Sequence, residues 1–379
     1  MEPFKNNFSL QLVTCIADHL QKHVAAFDRD TFEAPIRRDL EKLELKERSQ
    51  LIADHVHLAL PIDHQERSRI LMAMLHPDED NHANQPSDEQ GICGWGMSPL
   101  TTVVGQHGLD DFDGSLRLLR EMTKRFSSEF DIRYFLLADQ ERALNIILGW
   151  VDDPNLHVRR LASEGTRPRL PWAMQLPQLR LNPRPTLPIL EALRDDPEEY
   201  VRRSVANHLN DIAKDHPDLV ANMAVDWLQG ATTKREKLLR HACRTLVKQG
   251  HAVALRAVGI GVPEIEFHRL SIEPSTVKFG NALIFSVELR STSDEPQSLL
   301  IDYVVHFKKA NGRLSDKVFK WKQITLQGGK TLSAKRSHAI RPITTRRYYN
   351  GQHALSLRIN GQDFGFTEFD LVGVNEGPM

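Results

Sequence analysis

The sequence is poor in cysteine, in long apolar runs and in net charge. Its three cysteines, Cys15, Cys93 and Cys243, lie far apart with no Cys-x-x-Cys spacing. That excludes a disulfide framework and a thiolate zinc site, and suits a reducing cytoplasm. No stretch approaches the ~18 uninterrupted apolar residues of a membrane span. The opening MEPFKNNFSLQLVTC has no basic segment followed by an apolar core, so neither a membrane association nor a secretory leader is expected. The GxGxxG, Walker and GxSxG patterns are missing. His55 and His57, or His76 and His82, have no converging acids or cysteines at ligand spacing, and no metal or cofactor is expected. What is present is an ordinary globular balance, 40% hydrophobic and 26% charged, which excludes disorder as the main state. At 379 residues the chain is too long for one domain.

The net charge of −1 conceals an asymmetry. Residues 1–100 carry 10 basic against 17 acidic side chains, residues 101–260 carry 23 against 21, and residues 261–379 carry 16 against 12. Between Pro154 and Leu190 six arginines (Arg159, Arg160, Arg167, Arg169, Arg180, Arg184) accompany one acid, Glu164. Between Gly230 and Ile260 seven basic residues accompany Glu236 alone. Local basic strips of this kind suit a polyanion, because phosphate contacts respond to local field rather than to net charge. A solvated helix face is the plainer reading of the same strips.

The chain changes character near residue 262. Before it, apolar residues recur at helical spacing, as in Leu116, Leu119, Met122 and Phe126. After it, short β-forming stretches alternate with the turns Asn311-Gly312, Gly328-Gly329, Asn350-Gly351 and Asn360-Gly361. Roughly seven strands are expected there, in an immunoglobulin-like β-sandwich. The helical part repeats: DDPNLHVRRLASE at 152–164 returns as DDPEEYVRRSVAN at 195–207. A period near 40 residues with an Asp-Pro turn before a V-R-R helix is the pattern of HEAT-like helical pairs. The expected architecture is therefore α then β: a HEAT-like-repeat α-solenoid followed by a C-terminal immunoglobulin-like β-sandwich. Its expected divisions are an N-terminal helical part (1–100), repeats carrying the site (101–260) and the sandwich (264–379). The stretch 165–185, GTRPRLPWAMQLPQLRLNPRP, holds five prolines and reads as an ordered insertion. Residues 76–98 read as an exposed connection.

The strings GLDDFDGSLRLLREMTKRFSSEFDIRYFL, VRRLASEGTRPRLPWA and VRRSVANHLNDIAKDHPDL resemble the AlkC branch of the HEAT-like DNA alkylation-repair glycosylases. The N-terminal ELKERSQLIADHVHLALP and the β-domain fit as well, so the likeness covers nearly the whole chain. SEGTRPRLPW between two V-R-R helices is its most specific part. The resemblance implies hydrolysis of the N-glycosidic bond of cationic lesions such as 3-methyladenine and 3-methylcytosine in double-stranded DNA, without base flipping. It also implies that the usual deep base pocket is absent. The matching carboxylates are Glu129, Glu164 and Asp211, and Trp172 matches the aromatic of the site.

These residue types suit the chemistry on their own terms. A cationic base leaves as a neutral molecule and needs no general acid. Carboxylates stabilise the oxocarbenium-like sugar and orient or deprotonate water. Each has a bland reading: Glu164 solvated at a helix end, Asp211 paired with Lys214, Glu129 complementing a helix dipole, Trp172 plugging the insertion. The phosphate candidates are Arg159, Arg167, Arg169, Arg203, Lys234, Arg235 and Lys237, with Lys308, Lys309, Arg346 and Arg347 on β-domain turns. A monomeric glycosylase in the cytoplasm is the first expectation. A non-catalytic scaffold binding DNA or a protein is the alternative, since solenoids often do only that. In the scaffold case the acids point apart or are tied to the repeat arginines.

Overall fold

A computed structural model describes residues 3–79, 86–343 and 345–374. His82 and part of the 76–98 segment lie outside the described residues. Residues 1–215 form one compact unit and residues 216–379 a second. The first holds α1 (Leu10–His23), α2 (Arg29–Asp39), α3 (Leu45–Ala59), α4 (His64–Ala73), α5 (Met97–His107), α6 (Phe112–Met122), α7 (Ile132–Ala138), α8 (Gln140–Leu148), α9 (Leu156–Glu164), α10 (Pro177–Leu181), α11 (Leu187–Leu193) and α12 (Glu199–Ile212). None of the described helices is long and apolar enough to cross a membrane.

The repeat builds α9 and α12 on one design. Val158 and Val201 are fully buried. Asn155 accepts the His157 N–H at 2.8 Å and starts α9. Arg159 then folds back onto the Asp153 and Pro154 carbonyls and pairs with Asp196 at 2.6 Å. Its counterpart Arg202 bonds the Asp196 carbonyl. The first arginine of each V-R-R thus closes the Asp-Pro turn, and the second is left for other work.

Part of the 76–98 segment is not an exposed connection. Ile92 and Cys93 are buried, because the Ile92 N–H and C=O bond Met74 and His76. The insertion is ordered, as expected, and includes α10 with Pro177 at its first position.

The second unit opens with α13 (Pro217–Leu228), α14 (Thr233–Ala242), α15 (Arg244–Gln249) and α16 (Ala252–Ala257). Eight strands follow: β1 (Ile265–Ile272), β2 (Thr276–Lys278), β3 (Ala282–Ser291), β4 (Gln297–Lys308), β5 (Leu314–Leu326), β6 (Thr331–Ala339), β7 (Gly351–Ile359) and β8 (Gln362–Val372). They make a three-stranded sheet β1-β3-β6 and a five-stranded sheet β2-β8-β7-β4-β5. The two inner faces close over Phe285, Tyr303, Leu355 and Phe369. Asn360 (φ 46°) and Gly361 (φ 82°) turn β7 into β8, the left-handed pair that a two-residue hairpin requires.

Candidate active site

Glu164 is the last residue of α9 and only 5% exposed. A carboxylate there faces the negative end of the helix dipole, so it needs partners. Arg167 Nη1 lies 2.5 Å from Oε1 and Arg160 Nη2 at 3.5 Å, and the Ser204 hydroxyl donates to Oε2 at 2.6 Å. Burial pushes the carboxyl pKa up, but the two guanidiniums and Ser204 outweigh it and hold Glu164 below its ordinary value. Asp211, on the neighbouring α12, is 2% exposed. It accepts from Arg167 Nε at 2.8 Å and from Lys214 Nζ at 2.8 Å. One arginine of the insertion therefore joins carboxylates from consecutive repeats. Burial works against the Arg167 charge, and Glu164 and Asp211 more than restore it.

Glu129 precedes α7 in a turn, where Ser127 Oγ donates to Oε2 at 2.6 Å and Arg160 bonds the same oxygen. Arg160 thus links Glu129 to Glu164. Beneath them His208 Nδ1 donates to the Ser163 carbonyl at 2.9 Å. Burial pushes the His208 pKa down to about 4, so this ring is a neutral packing element.

The insertion is gripped from both sides. Fully buried Arg133 donates to the carbonyls of Met174 (2.6 Å), Gly165 and Arg167 (both 2.9 Å). Lys46 of α3 donates to the Trp172 carbonyl at 2.5 Å. Trp172 sits in the left-handed region (φ 66°) with 68% of its surface exposed. A non-glycine residue costs about 1–3 kcal/mol there and persists only where its surroundings dictate it. Here the grip holds the indole at the rim of a cleft of about 600 Å³. The cleft is walled by Phe8, Trp95, Phe126, Phe130 and Tyr134, and Lys46, Glu129, Asp131, Arg160, Glu164 and Arg167 supply its charged lining.

Residues 129–246 match the DNA alkylation repair enzyme family, and residues 266–373 match the C-terminal Ig-like domain of YhaZ. The Bacillus subtilis (strain 168) uncharacterized protein YhaZ is 36% identical over 373 residues, 98% of this chain and 100% of its own. Pseudomonas fluorescens AlkC, an alkylpurine DNA glycosylase solved bound to DNA containing an abasic site analogue, is 33% identical. It aligns with a TM-score of 0.82 over 98% of this chain and 100% of its own. The chain belongs to the AlkC family.

In this AlkC-family chain Glu129, Glu164, Asp211 and Trp172 come together as the glycosylase reading expects, and the acids are ion-paired to arginines as the scaffold reading expects. Two of the phosphate candidates are corrected. Arg159 is committed to Asp196 and two turn carbonyls, and Arg167, its side chain 8% exposed, holds the two acids. Neither offers its guanidinium to a phosphate. Arg169 is exposed enough to reach one but donates two hydrogen bonds to the Asp215 carboxylate, at 2.6 and 2.7 Å. Arg203 is exposed on α12, and Lys234 and Lys237 are exposed on α14, where Arg235 Nη1 bonds the Trp227 carbonyl at 3.3 Å.

In the sandwich Lys308, Lys309, Arg346 and Arg347 do converge, with Lys317, around a hollow of about 510 Å³. Arg346 lies 4.0 Å over the Phe307 ring, a cation–π contact. Tyr348 of the same loop is a core residue, 7% exposed. Sequence reasoning passed over Arg160, Ser204 and Asp131. The signal for Arg160 was its place four residues before Glu164, and Asp131 stands two residues after Glu129.

Proposed function

We propose that the chain is a monofunctional DNA glycosylase of base excision repair. It hydrolyses the N-glycosidic bond of cationic alkylated bases, 3-methyladenine and 3-methylcytosine, in duplex DNA, without flipping the lesion. It acts as a cytoplasmic monomer. Kinship over the full chain with an alkylpurine DNA glycosylase supports the reaction class. The observation that carries the assignment of residues is the Arg167 bridge, which holds Glu164 and Asp211 side by side, with the Glu164 carboxyl kept below its ordinary pKa despite burial.

The roles follow from charge. Cleavage gives a neutral base and an oxocarbenium-like sugar, which Glu164 and Asp211 stabilise from one side. Water adds to the sugar and gives its proton to one of them. Glu129 acts through Arg160 and is a positioning residue. Trp172 offers its ring face to the lesion. Arg160 and Arg167 bridge the three acids, and buried Arg133 lies within electrostatic reach of Glu129 and Asp211. Lys214, 43% exposed in its side chain, is screened by water. Exposed Arg203, Lys234 and Lys237 and the hollow around Lys309 and Arg347 take DNA phosphates.

The same ion pairs suit a scaffold in which the acids serve only the fold, and one assay separates the readings. The parent should release methylated base from methylated duplex, and Glu164→Gln and Asp211→Asn should lose release by at least ~10²-fold while still binding DNA. Binding without release by the parent supports the scaffold.

A further inference from the structure

Four carboxyl groups belong to this site, and three already have a cation: Glu129 has Arg160, Glu164 has Arg160 and Arg167, and Asp211 has Arg167 and Lys214. Asp131 is different. It is 6% exposed, it lines the same cleft, and among the described residues no lysine, arginine or histidine pairs with it.

The local structure explains how it comes to stand alone. Asp131 occupies the cap position before α7, yet its side chain makes no cap bond, forgoing the partner that an aspartate ordinarily finds there. Helix α5 packs against it and offers only the Thr101 and Thr102 hydroxyls. A Cβ on Gly105 would stand 3.0 Å from the Asp131 Cβ and 2.8 Å from the Tyr134 ring, so that side has no room for a long cationic chain. Glu129 faces it from the preceding turn and Tyr134 from its own helix. Lys46, Arg160, Glu164 and Arg167 line the rest of the cleft, and no histidine does. Burial first, and then the Glu129 charge, push the Asp131 pKa up to about 7. An unpaired buried carboxyl is costly, and a fold that spends two arginines on its neighbours has withheld one here.

We propose that Asp131 recognises the positive charge of the substrate, on the alkylated base or developing on the sugar, as the counterion that the protein does not itself supply. The inference rests on the glycosylase reading and deepens it, naming the residue that selects cationic over neutral lesions. Binding of the cation fixes Asp131 as the carboxylate and releases the proton that it otherwise carries for much of the neutral pH range. Selection therefore strengthens as pH rises.

The test compares binding of two duplexes, one carrying a protonated pyrrolidine abasic analogue and the other its neutral tetrahydrofuran counterpart. For the parent, preference for the pyrrolidine duplex should rise roughly tenfold between about pH 5.5 and pH 8.5, as one titrating carboxyl allows. For Asp131→Asn the preference should be independent of pH and close to the parent's low-pH value. A flat parent profile overturns the proposal, as does an Asp131→Asn protein that keeps the parent's rise. Should circular dichroism show that variant unfolded, the parent profile together with an Asp131→Glu profile decides, a longer carboxyl shifting the midpoint if the proposal holds and leaving it unmoved if not. Base release by the parent is measured alongside. Release with a flat preference removes Asp131's role alone, whereas absence of release removes the glycosylase reading itself.

Discussion

Arg167 is where the two repeats meet, and its planar fork suits it to reach Glu164 through Nη1 and Asp211 through Nε. Replacing it with methionine leaves two buried carboxylates short of a cation. Loss of one partner of a buried pair costs about 3–5 kcal/mol, to be read as a lower urea midpoint. Arg167→Lys should recover little of it, because a single ammonium does not span both acids. Asp131 gives the opposite sign. Its folded-state pKa, about 7, lies above the ordinary 3.8, so between these values the folded protein binds the extra proton and stability falls as pH rises. Asp131→Asn removes that loss. Urea melts should show the variant gaining on the parent from about pH 4 to pH 7, with a constant advantage above.

At the scale of elements, the end of α9 packs tightly against the start of α7. The Gly165 N–H bonds the Leu161 carbonyl at 2.9 Å, and a Cβ at 165 would fall 2.1 Å from Ile132 Cδ1. Gly165→Ala should push α7 from α9 and cost about 1–3 kcal/mol by overpacking, with base release falling because Glu129 and Asp131 ride on the same turn. This is also where the sequence was most and least legible. The V-R-R copies announced α9 and α12, and the prolines announced the insertion, because periodicity and proline act locally. The SEGTRPRLPW string drew attention to Glu164 and Trp172. The roles of Arg159 and Arg167 were hidden, because an arginine facing phosphate and an arginine closing a turn or bridging two acids have the same letter. Asp131 was hidden for a related reason: its character lies in what α5 fails to offer it, 26 to 30 residues away in sequence. Tyr348 stands two residues before the Asn350-Gly351 turn, yet its ring fills the sandwich core.

Across the whole molecule, charge is carried in two ways: paired and buried around the acids, exposed and clustered around the sandwich hollow. Only the second kind should respond to salt, since buried pairs are screened far less. Removing Lys309 and Arg347 together should lower the slope of log affinity against log salt by roughly one for each phosphate no longer neutralised, uniformly across DNA sequences and with little change in urea stability. The β-strand turns were readable because asparagine-glycine pairs act locally, and the convergence of Lys308 with Arg346 was not, because β4 and the loop before β7 are far apart in the chain.

The grip of Lys46 on Trp172 carries a further consequence. The matched repair segment begins at residue 129, and all three acids fall within it. Much of the cleft wall does not: Phe8, Lys46, Trp95 and Thr101 come from the chain before it. The three acids and much of the wall beside them are thus encoded in separate stretches of one gene. Variation in the first stretch is free to reshape that wall, while the second keeps the acids and the arginines that hold them.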